Sequence, residues 1–213
     1  PLEGVQGSGM HLHLSLFSGD TNAFYSEDDP NNLSPVAKSF MAGLLRHAAE
    51  ITAVTNQTVN SYKRLVPGFE APVHISWARN NRSGLIRVPI PKRGSVSATR
   101  IEYRSPDPAC NPYLAFSVIL AAGMKGIREG YELEPEADAN LFEMDDAALD
   151  KLGIRQLPQS LNDALKVMET SELVQEALGE HIFEWFLRNK RHEWREYKTQ
   201  VTPFELNRYL KSL

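Results

Sequence analysis

Apolar and polar residues alternate strictly over residues 11–17. Leu12, Leu14 and Leu16 fall on one side, and His11, His13 and Ser15 on the other. A period of two predicts a β-strand with an apolar back and a chemically equipped front. A flexible Gly7-Ser8-Gly9 turn precedes it. Residues 18–33 lose the alternation and fill with turn formers, which predicts loop. At Ser34-Pro35 the spacing becomes helical, with Ser34 as cap and Pro35 in the first turn. That helix is expected to run to about Ala53, with Phe40, Leu44, Leu45 and Ala48 inward. Between 60 and 104 short apolar runs separated by Pro67-Gly68 and Lys92-Arg93-Gly94 predict strands over 73–77, 85–88 and 97–104. Asn111-Pro112 opens a strongly apolar helix to about Arg128, expected at the centre of the core. Ser160 caps a helix to about Glu169. Residues 172–198 are amphipathic, with Leu173, Ala177, Ile182, Phe186 and Trp194 on the apolar side and Gly179 as a candidate break. Pro203 starts a short last helix. Helices and strands do not alternate in regular βαβ units, so the pattern predicts an α+β fold.

Composition narrows the class. With 213 residues, 42% hydrophobic and 23% charged, the chain can bury a sizeable core and is neither disordered nor collagen-like. Its longest nearly apolar run, 113–124, is 12 residues, too short to span a bilayer. A single cysteine, Cys110, excludes an internal disulfide and fits a reducing compartment. No signal or transit peptide is visible. The chain lacks an initiator methionine and meets its glycine-rich motif within ten residues of Pro1, which points to a fragment.

Charge is distributed unevenly. The net charge of −4 combines +3 over residues 1–105 with −7 over 106–213. Within 60–104, 9 basic residues face 2 acidic ones, Glu70 and Glu102, and most of the basic residues are arginine. Such a segment is either a solvated basic face or an anion site, and forked guanidiniums suit oxyanions.

Four constellations carry candidate chemistry. His11 and His13, two apart on one strand face, can direct two imidazoles to one pocket as metal ligands or phosphate contacts, or simply face water. Arg100, Glu102 and Arg104 repeat the device: a ladder of surface ion pairs, or a metal-binding carboxylate between two anion-binding arginines. Arg79, Arg82 and Arg87 surround a turn that could cradle a polyphosphate or form an exposed basic hairpin. Glu70 is a lone carboxylate in a proline-bracketed basic loop, where neighbouring cations favour its ionised form. It either serves a site or neutralises Arg64. No phosphate-binding P-loop, dinucleotide fingerprint, zinc spacing or nucleophile elbow occurs.

Taken together and in order, these segments resemble glutamine synthetase of the bacterial and archaeal type. The matching stretches are Gln6-Gly-Ser-Gly-Met-His-Leu-His-Leu-Ser15, Asn60-Ser-Tyr-Lys-Arg-Leu-Val-Pro-Gly-Phe-Glu-Ala-Pro72, Arg82-Ser-Gly-Leu-Ile-Arg87 and Arg100-Ile-Glu-Tyr-Arg-Ser-Pro-Asp-Pro-Ala-Cys-Asn-Pro-Tyr113. Tail segments 177–183 and 199–203 match as well, so the resemblance covers essentially the whole chain. It implies the family's antiparallel-sheet, guanido-kinase-like catalytic domain with a helical C-terminal region, of which residues 1–213 would be the C-terminal part. It implies ATP-dependent joining of glutamate and ammonium through γ-glutamyl phosphate, in the cytoplasm, by a ring-shaped homo-oligomer, a dodecamer in the family, without nucleic acid or membrane as partner.

By motif, His11 and Glu102 resemble ligands of a Mg2+ or Mn2+ ion. His13, Ser15, Arg82, Arg87 and Arg100 resemble ATP contacts. Gly7, Arg64, Glu70, Arg82 and Arg104 resemble glutamate contacts, with Glu70 and Arg82 in catalytic positions. Gln6 stands where the family usually has Asn. The family's nucleotide-contacting lysine does not align within 91–95. Phe142 replaces a modifiable tyrosine, so control by adenylylation is not expected. The family's remaining metal ligands and its N-terminal β domain precede Pro1, so the isolated chain is expected to be inactive. Competing readings are a ligase for another amine such as a polyamine, a catalytically dead relative, and a nucleic-acid module using residues 60–104, which the overall acidity opposes.

Overall fold

The structure is a computed structural model that describes residues 4–5, 7–66, 71–80, 83–89, 96–137, 141 and 144–212. Three short strands come first, β1 (Leu12–Leu14), β2 (Phe17–Ser18) and β3 (Thr21–Asn22). Helices α1 (Pro35–Arg46), α2 (Ala48–Thr55) and α3 (Ser61–Arg64) follow, then β4 (His74–Ala78), β5 (Gly84–Arg87) and β6 (Ile101–Tyr103). The rest is helical: α4 (Pro112–Glu129), α5 (Asp146–Lys151), α6 (Leu161–Glu169), α7 (Glu172–Leu178), α8 (Glu180–Lys198) and α9 (Pro203–Tyr209). The α+β expectation holds.

Local chemistry explains the helix starts. The Ser34 hydroxyl accepts from Ala37 N–H, the Asn111 side chain from Tyr113 and Leu114 N–H, and the Ser160 hydroxyl from Asp163 N–H. Each satisfies N–H groups that a first helical turn leaves without partners. The break expected at Gly179 is present: it takes φ +73°, a conformation glycine adopts without Cβ strain, and separates α7 from α8.

Other expectations are corrected. The single helix expected over 34–53 is two, divided at His47 (φ −98°, ψ 7°). Apolar spacing continues across this joint, so periodicity conceals it. The strand expected over 97–104 keeps only β6, because residues 96–98 form a 3₁₀ turn. The loop expected over 18–33 contains the β2–β3 hairpin. Ile182, expected on the apolar side of its helix, is exposed. The apolar helix α4 is a core helix on one side only, burying Val118, Ile119 and Ala122 while leaving Tyr113, Phe116 and Leu120 outside.

A four-stranded sheet in the order β1-β6-β5-β4 positions the polar face. β1 pairs antiparallel with β6, placing His13 opposite Glu102; β5 pairs antiparallel with β6, placing Arg87 opposite the same Glu102. The sheet is not wholly antiparallel as expected, because β4 and β5 run parallel, with an irregular register between His74 and Trp77. Ile86, Ile101 and Tyr103 of the inner strands are fully buried in the main apolar cluster with α1, α2, α4 and α6. Helices α1 and α4 cross so closely at Gly43 and Gly126 that a Cβ on either would strike backbone of the other helix. The polar row His13–Glu102–Arg87 therefore rides on a rigid apolar support.

Candidate functional site

The sheet register builds the site. Residues opposite one another in antiparallel strands project to the same face. Glu102 thus stands between His13 and Arg87, and strand alternation adds His11 and Arg104 beside it. The geometry agrees: His11 Nδ1 lies 2.9 Å from Glu102 Oε1, Arg87 Nη1 2.8 Å from Oε2, and Arg104 Nε 3.5 Å from Oε1. Glu102 and Arg104 are buried, whereas the His11 and Arg87 side chains open to solvent. The surface-ladder reading of Arg100, Glu102 and Arg104 is thereby replaced by a carboxylate sunk in the sheet and surrounded by cations. Desolvating an ion is costly unless partners compensate it, and here three do.

Burial pushes the His11 imidazole below its usual range; the Arg104 cation adds to this, and the Glu102 carboxylate opposes it. His11 is therefore neutral at neutral pH. Since a carboxylate only accepts, its Nδ1–H is the donor to Glu102, and Nε2 keeps a free lone pair. An imidazole oriented by a carboxylate in this way is a recurrent metal-ligand arrangement. His11 Nδ1 and Glu102 Oε1, 2.9 Å apart, fit a divalent cation as two of its ligands once the ion takes the place of the proton between them. Among the described residues no group of three or more His, Cys, Asp or Glu side chains converges on one point. The pair thus supplies part of a coordination shell.

Arg64 sits behind this row. It ends α3 and is buried, with Nη1 donating to the carbonyls of Ser105 (2.8 Å) and Pro106 (3.4 Å) and Nη2 to that of Arg104 (3.1 Å). Its side chain fills the concavity of the glycine turn: a Cβ at Gly7 would meet Arg64 Cβ at 3.0 Å, and one at Gly9 would stand 2.7 Å from Arg64 Cζ. One guanidinium therefore ties the glycine turn before β1 to the strand end after β6. Arg104 Nη1 also donates to Gly84 O (3.4 Å), joining the start of β5.

His13, Ser15 and Arg100 are exposed, with His13 at the centre of β1, Ser15 just past its end and Arg100 just before β6. Gly7 is half-buried against Arg64. Glu70 and Arg82 lie outside the described residues, as do Gln6, 91–95 and Phe142. The three-arginine polyphosphate loop is corrected at one position. Arg79 donates through its backbone N–H and its Nε to Glu136 (2.7 and 2.8 Å). Glu136 belongs to the strap 131–137 along β4, where Trp77 Nε1 donates to Glu134 O (2.7 Å) and Ala137 N to Trp77 O. Arg87 joins the carboxylate cluster instead.

Asn22 is the residue near the site that the sequence pattern passes over. A lone asparagine in a turn-rich stretch carries no signal of partners more than seventy residues away.

Comparison with known proteins matches this architecture over its length. A family model for the glutamine synthetase catalytic domain covers residues 1–209. A glutamine synthetase of Mycolicibacterium smegmatis is 60% identical over 204 residues, covering 96% of this chain and 46% of that protein. One of Methanosarcina mazei is 53% identical over 213 residues, covering 100% of this chain and 47% of that protein. A solved GmaS/ADP complex superposes with a TM-score of 0.83 at 38% identity, over 96% of this chain and 46% of that one. The chain thus spans about half the length of the relatives it matches.

Proposed function

Because the chain belongs to the glutamine synthetase family through its catalytic domain, we propose that it forms the C-terminal part of a cytoplasmic, ATP-dependent glutamate–ammonia ligase. The observation that carries this reading is the buried Glu102 carboxylate joined to His11, Arg87 and Arg104 on one sheet face. In this reading the γ-carboxylate of glutamate attacks the γ-phosphorus of ATP and ADP leaves; ammonia then attacks the acyl carbon of γ-glutamyl phosphate and phosphate leaves. Both steps concentrate negative charge on phosphoryl oxygens, which fixed cations stabilise without reorganising.

Each residue has a role suited to its place. His11 and Glu102 would hold a magnesium or manganese ion between Nδ1 and the carboxylate, and such an ion would draw charge from the phosphoryl oxygens. Arg87, whose guanidinium is half open to solvent and anchored on Glu102, reaches the phosphates together with Arg82. His13, Ser15 and Arg100 line the exposed edge of the sheet and contact the nucleotide. A similar solved structure is a GmaS/ADP complex, which supports nucleotide binding by the family to which this chain belongs. Gly7, Arg64 and Arg104 shape the glutamate end, where Arg64 acts by bracing the glycine turn against carbonyls 104–106. Glu70 covers the acyl phosphate and accepts a proton from ammonium. Ammonia is favoured over a polyamine because the relatives at 53–60% identity are named glutamine synthetase.

The chain carries two metal ligands and spans about half of its relatives, so the complete enzyme and not the isolated chain performs the reaction. The exposed apolar residues Val201, Phe204, Leu206, Tyr209 and Leu210 around α9 support assembly into a homo-oligomeric ring. Among the described residues no helix is long and apolar enough to cross a membrane.

The test is glutamine formation from glutamate, ammonium and ATP with Mg2+, in the enzyme that carries this chain and in the isolated chain. Synthesis is expected only in the former, and Glu70→Ala should reduce it more than ATP binding. An enzyme that makes no glutamine, or an isolated chain active at the same rate, overturns the reading.

A further inference from the structure

We infer that Asn22 is a positioning residue for the nucleotide, acting through the backbone of residues 96–99 on Arg100; this rests on the ligase reading above. Asn22 closes the β2–β3 hairpin and is only 4% exposed. Its Nδ2 donates to three carbonyls of one turn: Val96 (3.3 Å), Ser97 (3.3 Å) and Thr99 (2.8 Å). Its Oδ1 accepts from Phe24 N at 2.9 Å. One amide therefore grips the turn with its donor end and the core with its acceptor end.

The anchor side is rigid. Phe24 is fully buried and packs on Phe40 of α1, with ring centroids 5.3 Å apart. Its carbonyl accepts from Ser34 N (2.9 Å), and the Ser34 hydroxyl donates to Ala23 O (2.5 Å), so the hairpin exit is fastened to the cap of α1. The gripped side is slight: among backbone bonds the turn closes through Thr99 N to Val96 O at 3.2 Å. Three carbonyls sharing one NH2 group hold it more firmly than that bond does alone. The shortest of the three contacts falls on Thr99, whose carbonyl belongs to the peptide that begins Arg100. Arg100 enters β6 two residues before Glu102. Releasing Thr99 would therefore move an ATP-facing arginine while leaving the Glu102 cluster, held by sheet pairing, in register.

Asn22→Asp isolates the effect. It preserves size and the acceptor for Phe24 N–H, but turns a carboxylate toward three carbonyls in place of two N–H donors. Asn22→Ser is the milder companion. In the complete enzyme Asn22→Asp should raise KM for ATP by about tenfold or more, with KM for glutamate changed by less than about twofold and the serine variant intermediate. A residue that merely supports the fold would lower the active fraction, hence kcat, without splitting the two KM values. In parallel, amides of residues 97–101 should exchange hydrogen faster in the isolated variant chain, with α1 and α4 unaffected. An unchanged KM for ATP, parallel rises for both substrates, or unaltered exchange at 97–101 overturns the inference. A wild-type enzyme without ATP-dependent synthesis refutes the ligase reading instead, and the exchange measurement then still decides whether Asn22 holds the turn.

Discussion

Replacing Gly9 by alanine asks whether Arg64 is the brace the structure shows. Gly9 has no positive φ, so alanine meets no backbone penalty there and the substitution acts through its one new methyl group. That carbon would stand 2.7 Å from Arg64 Cζ and closer still to Nη2. Carbon contacts settle near about 3.5–4.0 Å, so the guanidinium must withdraw by roughly 1 Å. It cannot withdraw and keep its bonds of 2.8 Å to Ser105 O and 3.1 Å to Arg104 O. Hydrogen bonds from charged donors contribute about 1.5–3 kcal/mol each, and alanine returns about 0.4–1 kcal/mol by restricting the unfolded chain. The expected net destabilisation is about 2–6 kcal/mol, read as a lowered urea midpoint at unchanged slope. The decisive comparison is the cycle with Arg64→Met, since in that background no buried guanidinium remains to displace. There Gly9→Ala should cost less than about 1 kcal/mol, a coupling typical of residues in direct contact. A Gly9→Ala chain as stable as wild type, or one equally destabilised in both backgrounds, refutes the bracing role.

Two further outcomes follow from the ion pairs. Arg79 and Arg87 flank the same turn but face different partners. Arg79→Ala should cost about 1 kcal/mol or less and leave KM for ATP unchanged, whereas Arg87→Ala should raise that KM about tenfold or more; equal effects on KM would refute the division. The second concerns Glu50, which joins α2 to the Ser171 cap of α7. Burial acts to raise its carboxyl, but hydrogen bonds from His47 (2.7 Å) and Ser171, with the nearby His47 and Lys125 charges, hold it below its ordinary value of 4.5. A depressed folded value means stability present above pH 4.5 and lost as pH falls through the folded value. Glu50→Gln should therefore flatten the fall in urea-measured stability below that pH, and an identical acid profile would refute the clasp.

Much of the local structure is written in short stretches of sequence. Ser34-Pro35, Asn111-Pro112 and Ser160 mark helix starts because a side-chain acceptor three residues or fewer from a free N–H needs nothing else from the fold. Gly179 marks a break for the same kind of reason, since its φ is accessible to its own residue type. The alternation over 11–17 places His11 and His13 on one face before any partner strand is known. The resemblance of the ordered motifs then supplies the family, which the comparisons establish.

What tertiary structure decided is partnership. Periodicity states which face a residue occupies, not what stands opposite. Only the register of β6 between β1 and β5 brings Glu102 against His11 and Arg87, and only the strap 131–137 turns Arg79 away to Glu136. Arg64 reads in the sequence as one of many cations. Its burial under a glycine turn depends on residues more than fifty positions before it and about forty after it. The parallel pairing of β4 with β5, the joint at His47 and the reach of Asn22 to residues 96–99 share this cause: each is fixed by long-range packing and hydrogen bonding, for which a local window of sequence holds no term.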